Sequence, residues 1–200
     1  MKITIPLFLI VVAFMTACSN EQSDSSVVQD STTVTAANPK VDSVAVDRAL
    51  LLVPGVSAGK VAIGQDAEEV YTLLGKADAG DAAMQKSVAI WYKDHDPKSF
   101  ATSIYTVRDT GDNPAARIQQ IRVSSPSFST QDSMGVSSKL EAIQKKYEVT
   151  KLTDVNTDGS IFEIYDSLKG IAFEIQDGIC KAIIIHKANE NLKTTSLPLR

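Results

Sequence analysis

The sequence predicts an α+β domain made of two tandem repeats, each a helix followed by an antiparallel meander. Three observations carry that expectation. Residues 60–78, "KVAIGQDAEEVYTLLGKAD", align with residues 133–151, "SMGVSSKLEAIQKKYEVTK", at a constant offset. Both stretches place apolar residues at helical spacing, Val70, Leu73 and Leu74 in the first and Leu140, Ile143 and Tyr147 in the second. After each comes a set of β-branched and aromatic runs broken by Gly, Asn and Asp turns.

The chain begins ahead of that domain with Lys2 and an uncharged, mainly apolar run, residues 3–15. Such a run is too short for a bilayer-spanning helix, which takes about 20 residues. It suits the apolar core of a secretory signal, ended by the small residues Thr16 and Ala17 just before Cys18. Residues 1–17 are therefore read as a signal peptide, either a lipoprotein's or a plain one with an incidental cysteine. Residues 18–48 hold Ser, Thr, Asp, Asn and Val but no aromatic residue, so they bury too little apolar surface to offset ordering entropy. As a flexible tether they would span roughly 30 Å.

The α+β domain is placed at residues 49–187, with repeat one about 58–125 and repeat two about 126–187, and a polar tail at 188–200. Asp66 with Glu69, and Ser138 with Glu141, have the spacing of a capping box at a helix start. Gly64 and Gly75 suit backbone of positive φ before and after the first helix. Strand runs follow at 87–92, 101–107 and 116–124, then at 148–155, 160–166, 170–176 and 178–186. Ile171, Phe173 and Ile175 alternate with Ala172, Glu174 and Gln176, which gives that sheet one dry face.

The stretch from Gly64 through Val70, Leu73, Leu74 and Gly75 to Asp78 resembles the G-x-T-x-x-x-V-x-x-L-L-G-x-P pattern of SmpA/OmlA-type (BamE-like) outer-membrane lipoproteins. In tandem, the element order resembles the β-lactamase inhibitor protein-like (BLIP-like) fold. Ala77 stands where that family often has Pro, Asp66 where it often has Thr or Ser, and Glu148 where the second copy should repeat Gly75. The resemblance implies a concave sheet surface and a habit of binding proteins, with no catalytic residue. The Cys18 context likewise resembles a bacterial lipobox, with Met15 in place of the usual Leu. That resemblance implies lipid on the Cys18 sulfur, and Ser19 in the next position implies sorting to the outer membrane; a periplasm-facing domain is the expectation, with surface exposure left open.

Composition narrows the function. The chain has 20 Lys and Arg against 24 Asp and Glu, a formal net charge of −4. This mild acidity argues against nucleic-acid partners and against a polybasic grip on lipid. With Cys18 lipidated, Cys180 is left alone, which excludes a disulfide or a cysteine zinc site. Asp154, Asn156, Asp158 and Gly159 open like an EF-hand calcium loop, but position twelve is Tyr165 where a bidentate Glu is needed. A hairpin turn is the competing reading, and any calcium site would be weak. His95, between Asp94 and Asp96, reads as a solvated loop rather than a metal site. Cys180 and His186 fall at even spacing on one strand but are too far apart to form a dyad. No phosphate loop, catalytic triad or zinc-protease motif is present, so the chain is read as a non-enzyme without cofactor.

Two binding functions follow from these readings. One is a membrane-tethered lipoprotein that binds another envelope protein as scaffold, assembly factor or inhibitor, with Trp91, Tyr92, Tyr105 and Phe128 as a possible binding surface. The other is a periplasmic module for a small ligand or cell-wall fragment. An uncharacterised hydrolase ranks third.

Overall fold

The computed structural model describes residues 47–157 and 159–193. Three short strands come first: β1 (Leu51–Val53), β2 (Ser57–Ala58) and β3 (Val61–Ala62). Helix α1 (Ala67–Leu74) leads into β4 (Ala79–Ala83), β5 (Lys86–Tyr92), β6 (Ala101–Arg108) and β7 (Ala116–Val123). After β8 (Ser129–Thr130), helix α2 (Leu140–Lys146) precedes β9 (Thr150–Thr157), β10 (Ser160–Ser167), β11 (Ile171–Gln176) and β12 (Ile179–His186).

These strands form two sheets. The large one is antiparallel throughout and runs β4-β5-β6-β7-β12-β11-β10-β9. The small one runs β3-β2-β1-β8, with β1 and β8 parallel. Its members are two or three residues long, too short for alternation to betray them in the sequence.

This architecture overturns the expected α+β tandem of helix-plus-meander repeats. Of the described residues, 47% are strand and 15% helix. The β7–β12 ladder fuses all eight long strands into one sheet, and the small sheet occupies stretches read as loop. The helices span only 8 and 7 residues. The SmpA/OmlA resemblance falls on the same ground, because that module is helix-rich and this chain is mostly β. The shared pattern from Gly64 to Gly75 describes one short capped helix, which many folds can use.

Local chemistry explains each helix end. Asp66 Oδ1 accepts from the Glu68 amide at 2.9 Å, and Glu68 and Glu69 set negative charge in the first turn, where the helix dipole favours it. Gly75, at φ +80°, turns the chain out of α1 and donates its amide to the Tyr71 carbonyl. Neither expected capping box closes, since Asp66 caps α1 through the Glu68 amide without Glu69, and α2 has no side-chain cap. Lys139 sits at the cap without a side-chain bond, and Ser138 Oγ accepts from the Gly135 amide instead.

The main core lies between the large sheet's inner face and a layer made of α1, α2 and the small sheet. Ile104, Ile121, Phe173 and Ile183 from the sheet meet Leu52, Val70 and Ile143 from that layer. The Tyr147 and Phe173 rings pack with centroids 5.5 Å apart. Burying each such side chain contributes about 1.5–3 kcal/mol.

Candidate binding face

The large sheet's second face is where alternation places the other half of each strand, and its centre is polar. Cross-strand pairing puts Ser103, Arg122, Ile184, Ala172 and Asp166 in one row and Tyr105, Gln120 and His186 in the next. Ser103, Gln120, Arg122, Asp166, Glu174 and His186 are all buried.

Arg122 on β7 and Glu174 on β11 are separated by β12. Their side chains meet across it through two bonds of 2.9 Å, Nε to Oε1 and Nη2 to Oε2. Strands lie about 4.8 Å apart, so only two long side chains can bridge a strand in this way. Ala182, directly opposite Glu174 on β12, leaves the room they need. A planar guanidinium suits such a forked contact. Nearby, Ser103 Oγ is, among the described residues, a fully buried side-chain oxygen with no hydrogen bond.

A strap, residues 187–193, folds back over this face from the end of β12. His186 Nε2 lies 2.8 Å from Asp166 Oδ1, and a carboxylate only accepts, so the ring donates there. The other oxygen, Oδ2, accepts from the Leu192 amide at 2.9 Å. Gln120 Nε2 donates to the Lys193 carbonyl at 2.7 Å. Leu192 packs on the cluster of Ile164, Ala172 and Ile184. Glu190 lies between Lys187 and Lys193, which hold its carboxyl below the ordinary value, Lys187 first.

The strap divides two cavities. One, of about 450 Å³, is lined by Glu148, Thr150, Asp166, Lys169 and Asn191 among others. The other, of about 340 Å³, is lined by Lys86, Tyr105, Gln120, His186, Glu190 and Lys193 among others. Their charges differ: the first has Glu148, Asp166 and Lys169, while the second has Lys86, Lys187 and Lys193 against Glu190 alone.

The four aromatic residues expected to form one surface do not share one. Trp91 lies on the inner side, packed against the main core, with Nε1 donating to the Gly75 carbonyl at 3.1 Å and its ring 5.6 Å from Tyr71. Phe128 is partly buried against the same core. Tyr92 and Tyr105 cluster on the second face with Val88 and Ile90. The strand β5 explains the split, because adjacent residues 91 and 92 must point to opposite faces.

Other sequence candidates are placed as follows. Cys18 and Asp158 lie outside the described residues, as does the side chain of Asn156. Asp154 accepts from Lys151 Nζ at 3.0 Å, and the same ammonium bonds Glu163, so a lysine already sits between those carboxylates. Both partners raise the Lys151 pKa, Glu163 more than Asp154. Among the described residues no group of three or more His, Cys, Asp or Glu is disposed to hold a metal. His95 is exposed and pairs through Nδ1 with Asp78 at 2.6 Å, away from any convergence with Asp94 or Asp96.

Cys180 is buried in the main core, where desolvation pushes its thiol up to about 12. The shared-face reading of Cys180 and His186 is corrected by a register shift between Glu174 and Ile175. That irregularity puts Cys180 on the inner face and His186 on the second face. The Arg122–Glu174 and Asp166–His186 pairs were missed by sequence reading. Their only trace was a charged residue at a polar position of an alternating strand.

No protein-family model matches the chain, and no curated protein matches it. Among solved structures the chain is similar to a cysteine-rich secretory protein from Staphylococcus aureus, at 10% identity and a TM-score of 0.42. The likeness covers 77% of this chain and 57% of that one. It is too slight to carry function.

Proposed function

We propose that this chain is a lipid-anchored lipoprotein of the cell envelope that works by binding another envelope protein. The anchor rests on the signal-like run that ends at Cys18. Multiple acyl chains on one cysteine would hold the protein stably, since each buried methylene contributes about 0.8 kcal/mol.

One structural observation carries the protein-binding part. Helix α1 leaves Tyr71, Leu73 and Leu74 exposed at 37%, 43% and 37%, beside the half-buried Trp91. Val70 between them is buried, so the helix is already docked and these residues are its uncovered flanks. Contiguous large apolar residues left open on a folded surface mark interaction sites more often than chance. Tyr and Trp suit that use because each combines a broad apolar face with a hydrogen-bonding edge.

The test is crosslinked co-purification of the native lipoprotein from envelopes, wild type against Leu73→Glu/Leu74→Glu, read by mass spectrometry. A dominant partner captured by wild type and lost with the variant is the expected result. Equal capture by both would remove α1 from the interface, and capture of nothing by either would remove the protein-binding reading. Cys18→Ala tests the anchor separately. Membrane fractionation should be lost, and an unchanged fractionation with unchanged mass would refute lipidation.

A further inference from the structure

We propose that the cavity between β5, β6, β7 and the strap is a binding site for a small carboxylate monoanion, independent of the α1 surface. The Lys86 ammonium and the Tyr105 hydroxyl receive the anion, and the strap lysines face them.

Four observations converge on this cavity. First, Tyr105 is 7% exposed and lines the cavity, yet among the described residues its hydroxyl makes no hydrogen bond. The hydroxyl is not among the solvent-excluded side-chain oxygens, so it opens on the cavity and is free to donate to a ligand there. Second, Lys86 has no ion pair among the described residues. It stands diagonally across the strand pair from Tyr105, since Lys86 opposes Val107 and Val88 opposes Tyr105. Diagonal neighbours on one sheet face are about 7–8 Å apart, which lets long side chains converge on one small group.

Third, the lining carries three lysines and one glutamate, a local charge of +2 in a chain whose formal charge is −4. The low-dielectric walls of a cleft concentrate that field on an entering anion. Fourth, the strap already shows the recognition chemistry. Glu190 presents a carboxylate to Lys187 and Lys193, the latter at 3.0 Å. Glu190 accounts for the two strap lysines and leaves Lys86 as the cation still open.

The count of open groups sets the class of ligand. One free ammonium and one free hydroxyl match a carboxylate, with one charge and two acceptor oxygens. A phosphate is held best by a guanidinium fork, and the lining has no arginine to supply one. The volume, about 340 Å³, is at the small end of the roughly 300–1,000 Å³ typical of ligand pockets.

The experiment is a melting-temperature titration of the purified full chain in detergent. The probes are sodium glucuronate, glucose, sodium phosphate and sodium chloride, the salts at matched ionic strength. Glucuronate should raise the melting temperature saturably, beyond chloride, glucose or phosphate. Lys86→Gln and Tyr105→Phe, each checked for a native spectrum, should weaken that response by about tenfold each, the size expected for losing one hydrogen bond to a charged group. Glu190→Gln should strengthen it, because the strap lysines are then released to the ligand. An equal response to glucose would overturn the anion assignment, and a stronger response to phosphate would overturn the carboxylate. Silence with every probe, or an unchanged response in a folded Lys86→Gln, would overturn the site.

Discussion

Replacing Arg122 by Met tests the polar centre of the second sheet face most directly. The side chains of Arg122 and Glu174 are 9% and 4% exposed, and two bonds of 2.9 Å join them. Met preserves most of the stem volume but takes the Arg122 guanidinium away from the buried Glu174 carboxylate. Removing one partner of a desolvated pair costs about 3–5 kcal/mol, against at most about 1 for an exposed pair. For a domain of this size the loss corresponds to a fall in melting temperature on the order of 10–20 °C. Equilibrium urea unfolding of wild type, Arg122→Met, Glu174→Leu and the double variant completes a cycle. Because the double variant buries no lone charge, it should be more stable than Arg122→Met by about 2 kcal/mol or more. An Arg122→Met loss below about 1 kcal/mol, or single effects that simply add, would refute the claim that this pair is desolvated and coupled.

Further outcomes are expected at Gly170, Gly178, Cys180 and Asp78. Gly170→Ala should destabilise strongly, by about 2 kcal/mol or more, because at φ +86° its Cβ would lie 2.5 Å from both Gly55 Cα and the His186 carbonyl oxygen. Gly178→Ala, at φ +72° with open space around it, should cost only about 1–2 kcal/mol in the same thermal melts. In a Cys18→Ala chain, Cys180 should stay unreactive to a disulfide reagent until the protein unfolds, and rapid native labelling would contradict its burial. Its thiol is raised from the ordinary 9.0 to about 12, so the folded state keeps a proton that the unfolded state gives up. The contribution of Cys180 to stability is therefore whole below about pH 9 and falls as pH rises toward 12, and Cys180→Ala should lack that fall. Asp78 is held below its ordinary carboxyl value first by the Tyr92 amide and then by His95. Its stabilisation is present above about pH 4 and lost as pH drops further, so Asp78→Asn and wild type should converge in acid melts.

Much of the strand content was legible because the signal is local. The runs at 87–92, 101–107, 160–166 and 178–186 fall within a residue or two of β5, β6, β10 and β12. β-branched residues at period two, bounded by turns such as Asp177-Gly178, say as much without any tertiary partner. The small sheet was illegible for the opposite reason. Strands of two or three residues have no period to detect, and β1 finds β8 only because the chain returns there 78 positions later at Leu51 and Ser129. The candidate cavity was half visible: Tyr105 was singled out, but Lys86, Gln120 and the strap lysines were not.

The sequence by itself determined where the chain extends, where it turns, and how α1 begins and ends, since Asp66 and Gly75 act on neighbours within a few residues. Which face each strand residue occupies was a tertiary decision. One register shift between Glu174 and Ile175 separates Cys180 from His186, and alternation counted along the strand runs straight past it. Arg122 and Glu174 are 52 positions apart, and Asp166 and His186 are 20 apart. Only the ladder order β7-β12-β11-β10 brings each charge to its partner, because a salt bridge depends on distance in space and leaves no period in the chain.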